Sequence, residues 1–158
     1  HGRTRCQFYK GQANWRAIRD IKDAVSIPVI ANGDIVDTAS ARTALAQSGA
    51  DGVMVGRGAQ GRPWTLAEIA ADLFGTARPT IPSGQALVDM VSAHYEAMLA
   101  FYGTELGGRV ARKHLGWYMD EVGTPAPLRR EVLTARTAAD VLRLLPDALQ
   151  RQEQESAA

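Results

Sequence analysis

Two glycine-bearing stretches carry the residue types that grip phosphate: Asn32, Gly33 and Asp34 in IANGDI, and Gly56, Arg57 and Gly58 in VGRGA. Glycine lets backbone N–H groups come close to an anion, and an arginine adds a planar charged fork. Gly56, Gly58 and Gly61 also spell G-x-G-x-x-G directly after an apolar run, the spacing of a dinucleotide-binding fingerprint. That fingerprint needs a second strand beyond its helix and an acidic residue about 20 positions on to hold a ribose hydroxyl. Beyond Trp64 the chain instead runs through a helical stretch, TLAEIAADLFG, into GTARPTIPSG, a linker with no acid and no apolar strand. The dinucleotide reading therefore gives way to a phosphate grip of another kind. Either glycine stretch alone is as readily a tight turn, so their placement has to decide.

The elements around them supply that placement. Residues 14 to 25, NWRAIRDIKDAV, put Ile18, Ile21 and Val25 on one helical face, with Asn14 as the N-cap. Pro28 to Ala31 form a short apolar run, which predicts a strand buried on both faces. A helix over 37–48 comes next, capped by Asp37 and stopped by Gly49, and Gly52 to Val55 read as the second strand. This is a parallel β-α-β unit with a right-handed crossover. Adjacent strands lie about 4.8 Å apart, so both glycine loops are predicted to open on one face, at the carboxyl ends where sheets and barrels bind ligands. A helix beginning near Pro63 would add its positive end.

After Gly75 the strands disappear. Pro79, Pro82, Ser83 and Gly84 read as a linker, and then Leu87, Val91, Tyr95, Met98 and Tyr102 recur at helical spacing. A second helix over roughly Gly107 to Val122, a third in PAPLRREVLTA and a fourth capped by Thr137 predict an antiparallel bundle. The terminal RQEQESAA, 151–158, has nothing to bury and is expected to fray. With 18 Lys and Arg against 17 Asp and Glu, the net charge of +1 recruits neither nucleic acid nor membrane, so any basic site is local. Arg109, Arg112 and Lys113 gather on one side of the second helix, and Arg129 and Arg130 would extend them; on charge alone this fits an ordinary solvated face. Trp117 reads as core and His94 as a half-buried bundle residue. A single cysteine, Cys6, excludes an internal disulfide and a cysteine-based zinc cluster; it fits a reducing cytoplasm and has no evident activating partner. There is no apolar run of membrane-spanning length and no signal peptide, and a first residue other than Met suggests the back part of a longer polypeptide.

Four ordered blocks, HGRTRCQFYKGQANW, IPVIANGDI, GADGVMVGRGAQGRPW and ARKHLGWY, together resemble the carboxyl-terminal part of a bacterial tRNA-dihydrouridine synthase. The resemblance runs from His1 to about Leu145, and lies with the B-type branch that includes proteins formerly labelled as nitrogen-regulation products. It implies an α/β plus all-α fold, with residues 1–75 as the last part of an FMN-binding β/α (TIM) barrel and 83–150 as a helical tRNA-binding domain. It further implies an oxidoreductase that carries FMN at the barrel top, reduces the C5–C6 double bond of uridines in tRNA and is recharged by NADPH. On this resemblance Asn32, Gly33 and Asp34 match the first part of the FMN phosphate loop, Gly56 and Arg57 the second, and His1 a histidine beside the flavin ring. Arg3, Thr4, Arg5 and Tyr9 match a loop that faces RNA, while Arg109, Arg112, Lys113 and His114 fall in the region that grips tRNA. The target nucleotide must be extruded to reach a flavin deep in a barrel mouth. The family's proton-donating cysteine, and the lysine and glutamine that contact the ring, belong to an earlier loop for which Cys6 is no equivalent. The chain alone is therefore expected to be inactive, and its barrel strands to self-associate. Two other readings stand beside this one: a non-catalytic RNA-binding module, and an FMN barrel acting on a small metabolite, against which the helical extension weighs.

Overall fold

Local chemistry fixes the boundaries of the strand–helix–strand unit. Asp37, extended at φ −158°, accepts the Ser40 N–H at 2.7 Å and so caps α2 (Thr38–Ser48), and Gly49 ends that helix in the left-handed conformation at φ 64°. On either side lie β1 (Ile30–Asn32) and β2 (Gly52–Met54), paired in parallel with Ile30 opposite Gly52 and Asn32 opposite Met54. A parallel pair requires a crossover, and α2 provides it. The structure, a computed structural model, describes residues 1–150, and the expected frayed tail at 151–158 lies outside them.

The chain divides into two compact units, His1–Thr80 and Ile81–Ala158. The first adds α1 (Arg16–Ala24) and α3 (Thr65–Phe74) to the β-α-β unit. Its core joins Ile35, Ala41, Ala44 and Ile69, with Trp15, Val53, Val55 and Leu73 packed against them. Asn14 accepts the Ala17 N–H at 3.2 Å, as a capping residue should, although the helix begins at Arg16. Arg19 then reaches the Ala46 and Gln47 carbonyls at 2.8 and 3.1 Å, satisfying acceptors that the last turn of α2 leaves free.

Two expectations change here. The face of α1 buries Ile18 but leaves Ile21 59% exposed, and the strand foreseen over Pro28 to Ala31 begins at Ile30 and buries only Ala31 fully. The cause is the width of the sheet. Two strands have α2 against one side, and among the described residues no layer covers Ile30 and Met54 on the other, so each stays about half exposed.

The second unit is helical: α4 (Gln85–Tyr102), α5 (Thr104–Val122), α6 (Ala126–Thr134) and α7 (Ala138–Leu149). Gly103 alone joins α4 to α5, at φ 78° and ψ 161°, a region that only glycine enters at little cost. The two helices then run antiparallel in close contact. A Cβ on Gly107 would sit 2.7 Å from the Met98 carbonyl oxygen, so their approach depends on a bare position there. Val91, Met119, Val132, Leu145 and Leu149 are essentially inaccessible. Leu87, Tyr95 and Met98 are buried as their spacing predicts, but Tyr102 is 46% exposed, because it ends α4 at the hairpin tip and no further turn covers it. Thr137 caps α7 through the Asp140 N–H at 3.1 Å. No described helix is long and apolar enough to cross a membrane.

Candidate anion-binding site

The loops that leave β1 and β2 border a single cleft of about 510 Å³ in the α/β unit. His1, Arg3, Tyr9, Asn32, Gly33, Asp34, Gly56 and Arg57 all line it, together with Gly58 and Gln60. Strand register brings the loops side by side, and the Asn32 amide locks them by donating to the Met54 carbonyl at 2.8 Å. Beyond that clip the backbones touch. A Cβ on Gly58 would lie 2.4 Å from the Ile35 carbonyl oxygen and 2.7 Å from the Val36 Cα, closer than any side chain allows. Gly33 has φ 116°, and a Cβ there would stand 2.9 Å from the Ala13 side chain and 3.0 Å from the His1 ring. No backbone hydrogen bond outside the strand ladder uses the N–H of Asp34, Gly56, Arg57 or Gly58 among the described residues. These donors face the needs of an oxyanion.

Asp34 at first looks hostile to an anion. Its carboxylate, however, accepts both Arg3 contacts at 2.7 and 2.6 Å and the Ala13 N–H at 2.7 Å, with its own backbone at φ 55°. Burial alone would raise the Asp34 pKa, but the Arg3 hydrogen bonds, the Ala13 N–H and the charges of Arg3 and Arg57 outweigh it and hold the group below the ordinary carboxylate value. The aspartate is thus ionised and matched by its own cation. This corrects the assignment of Arg3 to an RNA-facing surface: its side chain is 6% exposed, and it also donates to the Gly11 carbonyl at 2.6 Å. Both oxygens of the partly exposed Asp34 carboxylate lie within hydrogen-bond reach of one guanidinium nitrogen, and this charged contact outcompetes solvent for the buried Arg3 side chain.

Arg57 lines the cleft, and its guanidinium lies 4.8 Å from the centre of the exposed Tyr9 ring. Arg5 sits in the short turn Arg5–Gln7 and does not line the cleft, and the Thr4 N–H beside it is held by the Gln7 side chain at 2.8 Å. His1 accepts the Arg3 N–H on Nδ1 at 2.9 Å, which places the proton of the neutral ring on Nε2 and leaves that nitrogen as a donor. The positive end of α3 does not serve the cleft. It borders a separate depression with Asp37, Thr38 and Glu68, because Gly61 at φ 74° turns the chain away first. Sequence reasoning misses Trp15, whose indole N–H donates to the Gly33 carbonyl at 2.7 Å and pins the loop. A tryptophan one position ahead of a helix, with an N–H that burial obliges to find an acceptor, is the available signal.

In the helical unit the basic residues of α5 separate. Arg109 and Arg112 line a cleft with Arg136, and Lys113 and His114 do not. His114 packs edge-on against His94 and Trp117, with ring centres 5.2 and 5.0 Å away. Burial first, and the charge of His94 second, push its pKa below the ordinary 6.5, so near neutrality it lends no charge to a phosphate contact. His94 is half-buried and shares a hydrogen bond with the Tyr118 hydroxyl at 3.1 Å, while Trp117, expected in the core, is only partly covered. Arg129 does not extend the patch, since Asp120 holds it at 2.8 Å; Arg130 is exposed.

A model of the family described as dihydrouridine synthase (Dus) matches residues 1–154. A Rhodobacter capsulatus protein named probable tRNA-dihydrouridine synthase is 61% identical over 153 residues, covering 97% of this chain and 47% of that protein. A Rickettsia conorii protein of the same name is 51% identical, with 84% and 40% covered. A Vibrio cholerae protein named tRNA-dihydrouridine synthase B is 47% identical, with 87% and 43% covered. The chain thus spans about half the length of the curated relatives it matches.

Proposed function

The chain belongs to the dihydrouridine synthase family, and from that premise we propose that its α/β unit is the phosphate-holding part of an FMN-dependent β/α barrel. The whole enzyme would reduce the C5–C6 double bond of uridines in tRNA with NADPH as reductant. One observation carries this reading: the two glycine loops line one cleft with Arg57, and the N–H groups of Gly56, Arg57 and Gly58 make no backbone hydrogen bond among the described residues. FMN, when bound, supplies hydride-transfer chemistry.

The residues of this chain do the holding. Arg57 and the loop N–H groups bind the phosphate, Asn32 keeps the strands clipped, and the Arg3–Asp34 pair removes the repulsion that a bare carboxylate would exert. His1, whose Nε2–H is left free to donate, would offer the bound cofactor a hydrogen bond from the cleft lining. Exposed arginines of the helical unit hold the tRNA in the cytoplasm while the uridine is swung out of its stack. The proton donor comes from outside this chain, which by itself does not turn over. Additional strands cover Ile30 and Met54 in the whole enzyme; without them, residues 1 to 60 self-associate through that face.

Flavin content of the full-length enzyme tests the reading. Arg57→Gln is expected to lower FMN content by weakening its binding, and replacing Arg112 and Lys113 together to flatten the salt dependence of tRNA binding with flavin unchanged. Wild-type flavin content in an Arg57→Gln, Gly33→Val double variant would reject the phosphate site, and reduction of free uridine without tRNA would favour a metabolite oxidoreductase.

A further inference from the structure

The cleft beside Arg109 and Arg112 combines two surfaces that seldom meet on a solvated helix face. Its floor is apolar and buried, with Tyr95, Leu115 and Val141 at 4%, 2% and 6% exposure. Its rim carries the guanidinium groups of Arg109, Arg112 and Arg136 against one carboxylate, Glu105, which lies 3.3 Å from Arg109. Among the described residues neither Arg112 nor Arg136 has an ion pair. The volume, about 490 Å³, falls in the range of small-molecule sites. An apolar floor accepts a planar ring, and several arginines select a phosphate over a lone carboxylate because each can bind two of its oxygens.

We infer that this cleft binds one nucleotide, with its base against the apolar floor and its phosphate on the arginine rim. The same chemistry is offered by a free nucleoside monophosphate and by a nucleotide within an RNA strand. For its biological ligand the inference rests on the helical unit facing RNA.

The neighbouring glycines of α5 show how to test it. Gly107 is a packing position, with α4 backbone in the way of any Cβ, whereas Gly108 lines the cleft and a Cβ there meets nothing within 4 Å. A side chain at 108 enters the cleft without disturbing the helix pair, and any ordinary residue suits a helix interior better than glycine. Gly108→Leu therefore fills the site in a folded protein.

The 158-residue chain is titrated calorimetrically with UMP, with uridine and with tRNA, its thermal midpoint serving as the folding control. UMP is expected to bind at least about tenfold more tightly than uridine, and Gly108→Leu and Arg136→Gln each to weaken UMP by about tenfold or more, the size of one lost charged contact. A parallel loss of tRNA affinity in Gly108→Leu supports a strand-borne nucleotide; unchanged tRNA affinity with weakened UMP supports a free one. Should the chain bind UMP in this pattern but no tRNA, the RNA reading of the unit falls and the cleft stands. If both folded variants bind UMP and tRNA as the wild type does, the inference is overturned while the wider functional reading survives.

Discussion

The two units bury their apolar side chains in opposite ways. The helical unit packs α5 against α4, α6 and α7, with Met119 and Leu145 at 0% exposure. The α/β unit instead invests its order at one end of a two-stranded sheet, where Arg3, Asp34, Trp15 and Asn32 tie the loops, and leaves Ile30, Met54 and Ile27 about half exposed or more. Regular packing sustains the first region, and a polar network shapes the second. The contrast shows that loops can be tied in place by a polar network where the apolar layer beneath them is unfinished.

That contrast is open to attack. Leu145→Ala should lower the stability of the helical unit by about 2–5 kcal/mol in urea unfolding, the cost of a cavity in a closed core, whereas Ile30→Ala should change stability by no more than about 0.5 kcal/mol. Equal losses would erase the distinction. Gly58→Ala attacks the other region: an added Cβ must force the two loops apart, at an expected cost of about 1–3 kcal/mol, with FMN affinity of the full-length enzyme falling alongside.

The third prediction concerns the contact between Arg57 and Tyr9. Arg57→Gln should weaken FMN by about tenfold and leave riboflavin, which has no phosphate, unaffected; Tyr9→Leu should act partly through Arg57, giving a coupling of about 0.5–1 kcal/mol in a double-mutant cycle of FMN affinity. A coupling of zero would return Tyr9 to a surface facing RNA alone.

The smallest effect is one of pH. His114 has its pKa lowered in the folded chain, so between that value and 6.5 the unfolded chain binds more protons. Stability of the helical unit should therefore fall as pH drops through 6.5 towards the folded value. Urea midpoints measured across that window should lose most of this slope in His114→Gln, and a midpoint that rises on acidification would contradict the burial argument.

How far the sequence reveals this arrangement depends on distance along the chain. Asp37 and Gly49 bracket α2 by contacts three or four residues long, and Thr137 caps α7 the same way, so residue types alone mark those ends. The juxtaposed glycine loops are also legible, because a short β-α-β unit leaves its two strands little choice but to pair in parallel. The Arg3–Asp34 pair spans 31 positions, and nothing local distinguishes an arginine that turns inward from one that faces solvent. Burial patterns fail for a related reason. The periodicity that includes Ile21 and Tyr102 is real, but whether a face is covered depends on layers and helix ends that periodicity does not encode.

The one-residue link at Gly103 bears on the order of assembly. Closing so short a loop involves almost no chain entropy, so α4 and α5 can meet as soon as both wind, whereas β1 and β2 must first organise an intervening helix. Pulse-labelled amides of the hairpin should accordingly acquire protection ahead of those in the strands, so that the helical unit gains its order while the α/β unit is still maturing.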